Sequence, residues 1–583
     1  MADQCAPSSP GLPAQPHQRE AWWRGEALEW LWAVGFALLF GFRLFTDLDR
    51  LGLWDWDYFV SHATAAYKSV VEYAQLPLWT PFHCGGAPLF ENFQSRVYSP
   101  SFLLVLLFGP NIGCRVAMWG FLVLGFEGTR RYSRSLGAGP WAARYAAVAT
   151  VGNGAVLAHV SVGHFSVMPY VLWPWWLLAL RKGEHDLARG ALEGGLWLAL
   201  TCAEGGLYPL VHGALFAAAV CGARALRGKS IRPLLSLLAT GVTTLCMAAY
   251  LLVPSALHLL RSVRRPIVPE IVSVKGLVLM LLSTDLDFHR PVHFAGQCWG
   301  WHEYAAYVGP LFLALLCLPV FHAVKRRDLA VLGWLLAGLV SVGWVLGDFA
   351  PWSPWALGHK LPVLSSMRAS GRGILPALFM FSIATSLSLG ALGRRPWVTL
   401  ALLVNLFLVT PRAVESVFVL RFTSERDDHF AQRSDIDHFL LLMLRGYSLM
   451  TDDVLRGRGA LKCYEPVPVE GGARSRCSRC GEAWLEPEGR SARIIDWSPQ
   501  RVTVELPDTT VPAMLLLNQN CHRGWVREDG VSVFDKDGLI ATWVQPGDHR
   551  VVLRFEAPLF RWLCVLSLGS ITALFVWVRW LRR

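Results

Sequence analysis

Ala27-Leu-Glu-Trp-Leu-Trp-Ala-Val-Gly-Phe-Ala-Leu-Leu-Phe-Gly-Phe-Arg-Leu-Phe-Thr46, followed by Trp54-Asp55-Trp56-Asp57-Tyr58, is the stretch from which the fold is read. A run of about 20 mostly apolar residues is what an α-helix needs to cross a bilayer. The run ends in two carboxylates two residues apart, set between tryptophans at the mouth of that helix. Charged groups are expensive at membrane depth, and those that persist there are mostly functional. The loop that starts here is the first candidate site.

The rest of the chain repeats the pattern. Hydrophobic residues make up 53% and charged residues 17%, and the mean hydropathy is +0.37, well outside the balance of a soluble domain. Apolar runs mark about twelve candidate spans, at 27–46, 101–126, 137–158, 165–180, 188–203, 207–224, 232–253, 304–322, 328–347, 373–393, 396–411 and 560–579. The expectation is an all-α polytopic membrane protein with a small β domain before the last helix. No cleavable signal peptide is expected, because the first apolar run is long and has no small-residue cleavage site after it.

The cations orient the chain. With a cytoplasmic N-terminus, the inner loops carry Arg130, Arg131 and Arg134, then Arg181 and Lys182, then Arg224, Arg227, Lys229 and Arg232, then Lys325, Arg326 and Arg327, then Arg394 and Arg395. The tail cations Arg579, Arg582 and Arg583 fall on the same side, while the short loops at 159–164 and 204–206 carry no Lys or Arg. This is the positive-inside pattern. It predicts a multi-pass protein of the plasma (inner) membrane with both termini cytoplasmic. It also accounts for most of the +11 net charge without nucleic acid as a partner. Three segments are then outside: 47–100, 254–303 and 412–559. The second breaks the charge rule with Arg261, Arg264, Arg265, Lys275 and Arg290, which an anionic ligand would explain.

Residues 1–26 read as a leader, rich at its start in Pro, Gln and Ser and expected to be disordered. Residues 27–411 form the membrane body. In 412–559 the pattern changes: Arg501-Val-Thr-Val-Glu-Leu, Ala513-Met-Leu-Leu-Leu, Val531-Ser-Val-Phe and Arg550-Val-Val-Leu-Arg-Phe lie between Gly, Pro and Asp turns, as in an antiparallel β domain. Residues 560–583 return the chain to the cytoplasm. Of thirteen cysteines, Cys84, Cys298, Cys463, Cys477, Cys480 and Cys521 fall outside. Cys477-Ser-Arg-Cys480 is a single CxxC without the second pair of a zinc ribbon, so disulfide pairing is expected there rather than zinc.

A set of short motifs, in order, resembles the bacterial YfhO-like membrane proteins of the GT-C clan of glycosyltransferases. The set begins with Asp57, Leu76-Pro77-Leu78-Trp79-Thr80-Pro81, Gly85-Gly86-Ala87-Pro88 and Tyr98-Ser99-Pro100. It continues with Gly163-His164 and Trp173-Pro174, Glu303-Tyr304 with Tyr307-Val308-Gly309, and Leu361-Pro362 with Arg368 and Arg372. In the β segment it includes Asn520, Gly524-Trp525, Asp529-Gly530 and Pro546-Gly547-Asp548-His549. Two departures stand out: Trp56 precedes Asp57 where the family pattern has Gly, and Asp55 adds a second acid. The Cys-rich insert near 463–480 is also foreign to the pattern. The resemblance implies a GT-C-like fold and a transferase that takes a sugar from a polyprenyl-phosphate carrier to an envelope glycan or lipid acceptor, with its catalytic acid in the first outer loop.

That chemistry has definite requirements. An acceptor hydroxyl loses a proton as it attacks the anomeric carbon, so a carboxylate base is needed; Asp57 is preferred and Asp55 is its neighbour. The leaving lipid phosphate needs cations, for which Arg261, Arg264, Arg265, Arg368 and Arg372 are suitably placed along the chain. Glu303, at the start of a span, and Glu91, in the first loop, are further substrate-binding candidates, as are His164 and Glu204 in short outer turns. The two acids alternatively hold a divalent metal, a cofactor that the sequence does not require. His289, His293 and His302 read as loop polarity. The other function classes are a lipid or polysaccharide transporter, which would show broken helices near the midplane, and an envelope-assembly scaffold.

Overall fold

The computed structural model describes residues 16–261, 269–286, 295–296, 299–361, 363–390, 396–414, 420–421, 440–442, 450–461, 471–473, 481–487 and 489–580. Among these, four helices are long and apolar enough to cross a membrane: Gly25–Phe45, Leu207–Gly228, Ser370–Gly390 and Pro558–Trp580. Two more candidate spans are bent pairs, Pro140–Val151 with Gly154–Val162 at 42° and Arg232–Met247 with Ala249–Arg261 at 83°. Shorter apolar helices run over Gly309–Lys325, Leu329–Val345 and Pro396–Arg412.

Of the twelve expected spans, those at 27–46, 207–224, 373–393 and 560–579 correspond to the four unbroken helices and those at 137–158 and 232–253 to the bent pairs; the others do not form unbroken helices of that length and apolarity among the described residues. The reason is local punctuation. Gly109, at φ +77°, and Pro110 cut the expected span 101–126 into Phe102–Phe108 and Pro110–Ser135. The longer of these carries Arg115, Glu127, Arg130 and Arg131. The expected span 165–180 begins as a 3-10 turn, Met168–Leu172, before the eleven-residue helix Trp173–Gly183. Glycine and proline end a helical pattern that hydropathy alone would carry through.

The helices that matter to the site are labelled α1 (Pro16–Gly41), α2 (Asp55–Val71), α3 (Pro110–Ser135), α4 (Pro140–Val151), α5 (Gly154–Val162), α6 (Leu207–Gly228), α7 (Ala249–Arg261), α8 (Ile374–Gly390), α9 (Met450–Leu455) and α10 (Pro558–Trp580). On one side of the body, Glu26 and Glu29 of α1 pair with Arg131, Arg130 and Arg144, which ties α1 to α3 and α4. Buried Arg115 donates to the backbone carbonyls of Leu44, Thr46, Asp47 and Arg50 and so fixes the chain that leaves α1. The interior is aromatic: Trp56, Trp79, Trp173, Trp176, Trp301 and Trp355 are fully buried. These tryptophans are core residues.

Among the described residues, nine strands between 483 and 555 build the β region: β1 (Ala483–Glu486), β2 (Arg490–Ser491), β3 (Arg493–Ser498), β4 (Arg501–Glu505), β5 (Ala513–Asn520), β6 (Trp525–Arg527), β7 (Val533–Lys536), β8 (Leu539–Val544) and β9 (Arg550–Phe555). They form two antiparallel sheets, ordered β2-β1-β5-β8-β7 and β3-β4-β9-β6. Leu485, Val502, Leu515, Ile540 and Leu553 share a core with Leu78, Trp79, Phe82 and Phe90 of the first loop. Polar groups fix the same contact. Asn520 donates to the carbonyls of Cys84 at 2.7 Å and Gly86 at 3.0 Å, and Trp79 donates to Gln519 at 3.0 Å. The Leu-Pro-Leu-Trp and Gly-Gly-Ala-Pro motifs are thus the seat of the β region. Cys84 is in a disulfide and Cys521 is a free thiol; Cys298, Cys463, Cys477 and Cys480 lie outside the described residues.

Candidate active site

Asp55 is the first residue of α2, and the turn before it is strained: Trp54 has φ +59°, a region that bulky residues avoid. Successive residues of a helix are about 100° apart, so Asp55 and Asp57 leave α2 on opposite sides. Their fates differ accordingly. Asp57 is buried, and its carboxylate accepts from the backbone N–H groups of Met450 at 2.8 Å and Thr451 at 2.9 Å. It caps α9. Asp55 keeps a side-chain exposure of 22%, and its Oδ2 lies 2.7 Å from Nε2 of His164.

His164 reaches Asp55 because α5 ends at Gly163. That glycine has φ +80°, and a Cβ there would lie 2.6 Å from the backbone nitrogen of Trp56. The indole of Trp56 in turn donates to the carbonyls of Val160 and Ser161, each at 3.0 Å. The two helix ends are locked face to face.

Behind His164 the polar cluster continues inward. Its Nδ1 is 2.8 Å from Nδ1 of His159 and 3.9 Å from Oε1 of Glu303. His302 packs edge-on to His164, with ring centroids 4.8 Å apart, and its Nε2 is 3.7 Å from Glu303 Oε1. Arg372 grips Glu303 with Nε at 2.9 Å from Oε2 and Nη2 at 2.5 Å from Oε1. The guanidinium lies over the ring of Tyr208, 4.6 Å from its centroid. The approach of the Arg372 segment depends on Gly371, where a Cβ would fall 2.3 Å from the carbonyl oxygen of Glu303.

The electrostatics follow from burial and pairing. Burial alone would raise the Glu303 carboxyl, but the charge and hydrogen bonds of Arg372 hold it well below the usual carboxylate range. Burial and the neighbouring His164 push His302 down to about 3, so it is neutral. Glu270 lies one layer away, hydrogen-bonded to Tyr304 at 2.7 Å, and its pKa is raised by burial. His159, His164 and Glu303 are a set able to hold a metal, with one donor atom from each within 4.8 Å of the others.

The other candidates from the sequence are placed elsewhere. Glu91 is buried between α7 and the β region, 3.0 Å from His258 Nδ1, 3.4 Å from His522 Nε2 and 3.2 Å from Arg523 Nη2. Burial would raise its pKa, but hydrogen bonds with His258 and His522 and their charges hold it far below the usual range. It works as a clasp. Arg261 is exposed at the end of α7, and Arg264 and Arg265 lie outside the described residues. Arg368 is half-buried, and its backbone carbonyl accepts from Tyr208 at 2.5 Å. Glu204 is paired with Arg96 at 3.0 Å. His159 escapes a reading of the sequence because it sits inside an apolar helix; the one signal is its offset of five residues from His164.

No family model matches this chain, and no curated protein sequence does. It is similar to the cryo-EM structure of the arabinofuranosyltransferase AftD from Mycobacteria, with 14% identity and a TM-score of 0.43. The likeness covers 92% of this chain, which spans 40% of the length of that one.

Proposed function

We propose that this chain is an integral membrane glycosyltransferase that moves a sugar from a polyprenyl-phosphate carrier to an envelope acceptor, with Asp55 as the base. The observation that carries the reading is the convergence of Asp55, His164, Glu303 and Arg372. They come from four separate segments and meet at the partly exposed start of α2, within the helical body. Polar clusters of this kind are costly in such surroundings and are retained for function. The donor and acceptor classes come from the sequence resemblance.

In this reading the acceptor hydroxyl oxygen attacks the anomeric carbon and its proton passes to the Asp55 carboxylate. The bond from the anomeric carbon to the phosphate oxygen breaks, and its electron pair stays with the polyprenyl phosphate. His164 orients Asp55 through Nε2–H. Glu303 and Arg372 neutralise each other, so this reading assigns the phosphate to Arg368, four residues before Arg372 on the same segment. In this reading Asp57 is a structural residue, because it is buried and its carboxylate caps α9 on the side of α2 away from His164.

The test uses purified protein in lipid vesicles with polyprenyl-phosphate sugars and extracted envelope material. Asp55→Asn should lose on the order of 100-fold or more in turnover. Asp57→Asn should keep turnover within a few-fold and lose thermal stability. Wild-type rates from Asp55→Asn would remove Asp55 as the base.

One observation favours a second reading, a translocating protein without chemistry. The two helix pairs bent by 42° and 83° are of the kind transporters use to line a path. Passage of a labelled lipid-linked sugar across sealed vesicles with no change in its chemical form would support that alternative.

A further inference from the structure

We infer that His159, His164 and Glu303 form a site for one divalent transition-metal ion of the zinc class, with Asp55 as the partner that orients His164. Two imidazole nitrogens and one carboxylate oxygen are the ligand set of an open zinc site, in which the fourth position is left for water or substrate. Here the three residues are almost wholly buried, at 1%, 5% and 4% exposure, and their donor atoms lie within 4.8 Å of one another.

Asp55 supplies the second, independent observation. Its Oδ2 is 2.7 Å from Nε2 of His164, so that nitrogen carries the proton and Nδ1 presents a lone pair. It accepts from Nδ1–H of His159, 2.8 Å away, and an ion between the rings would take the place of that proton, which His159 would carry on Nε2 instead. Ligand atoms on a tetrahedral zinc are about 3.3 Å apart, so a separation of roughly half an ångström more would seat an ion between the rings. A carboxylate on the remote nitrogen of a ligating histidine is the usual outer support of a metal site and fixes the tautomer. Arg372 supports Glu303 in the same way. A carboxylate has acceptor positions for about four partners, so gripping by Arg372 does not exhaust Glu303.

Charge balance points the same way. The side chains of Asp55, Glu303 and Arg372 together carry a single negative charge in a largely buried setting. A divalent ion turns this to a single positive charge, which suits a phosphate at the open position. A role in sugar transfer rests on the transferase reading; binding of the ion does not.

The experiment measures metal on the full-length protein in lipid nanodiscs, stripped with chelator and then reloaded with Zn2+ or Co2+ alone. Wild type should take up one ion per chain and rise in melting temperature on loading, and the cobalt form should show visible d–d bands without a thiolate charge-transfer band. His159→Ala and Glu303→Gln should lose the ion. If either variant fails to fold, Asp55→Asn serves instead, and should weaken binding about 10–100-fold. Wild type that takes up no ion, or variants that bind as tightly as wild type, would overturn the site. An ion bound at this site in a protein that transfers no sugar would confirm the site and remove the transferase reading. Full transfer by metal-free protein would instead keep that reading and separate the ion from it.

Discussion

Arg372 and Glu303 hold opposite charges in the interior, with side-chain exposures of 15% and 3%. Breaking such a pair by removing one partner leaves the other charge buried and alone. Arg372→Gln should therefore cost about 3–5 kcal/mol of stability, read by thermal unfolding in detergent. The same pair sets an acid limit. The folded pKa of Glu303 lies below its ordinary value of 4.5, so the unfolded chain binds the extra proton first as pH falls. The stabilisation is full above pH 4.5 and is lost as pH drops through the lower, folded value. Gly163→Ala is the backbone counterpart: at φ +80°, with Trp56 N only 2.6 Å from the added Cβ, it should cost about 1–3 kcal/mol and part His164 from Asp55. Loss of turnover at unchanged membrane insertion would show it. The sequence singles out Trp54-Asp55-Trp56-Asp57, but nothing in that stretch separates the two acids. The proposal of Asp55 over Asp57 rests on Met450 and Thr451, almost four hundred positions downstream, and on His164, just past the end of an apolar helix.

At the scale of elements, Glu91 joins three pieces: the first loop, α7 through His258, and the β region through His522 and Arg523. Glu91→Gln should lower stability by about 2 kcal/mol, less than the roughly 3–5 kcal/mol of a fully buried pair, because Arg523 is half exposed. Hydrogen exchange should rise at 78–90 and 513–525 and leave α8 unchanged. Because the pKa of Glu91 is also held below 4.5, wild type should show the same local loosening as pH falls below that value. The strands were readable from alternation and turn residues, and so were the longest helices. The number of spans was not, since a hydropathy count passes through Gly109-Pro110 and the Gly152-Asn153 bend, where the backbone breaks.

Across the whole molecule, the basic loops and the β region belong to opposite faces if the positive-inside reading of the chain is right. Cysteine labelling of intact cells tests this. Asp508→Cys, at a side chain 94% exposed in the β region, should react with an impermeant maleimide. Leu226→Cys, 83% exposed near the end of α6, should react only after permeabilisation. Labelling of both from outside would reverse the orientation. Fold class and β region were legible because they rest on local patterns repeated many times; the polar cluster was not, because it is assembled once, from segments far apart. Helix α2 links the two. Its first residue lies in the candidate site, its third latches α9, and the loop that follows it is seated in the β region through Asn520 and Gln519. α2 is therefore a lever with its fulcrum beside Asp57. A large ligand or antibody that tilts the β region should shift Asp55 without touching it, so the surface of the β region offers a handle on the interior of the helical body.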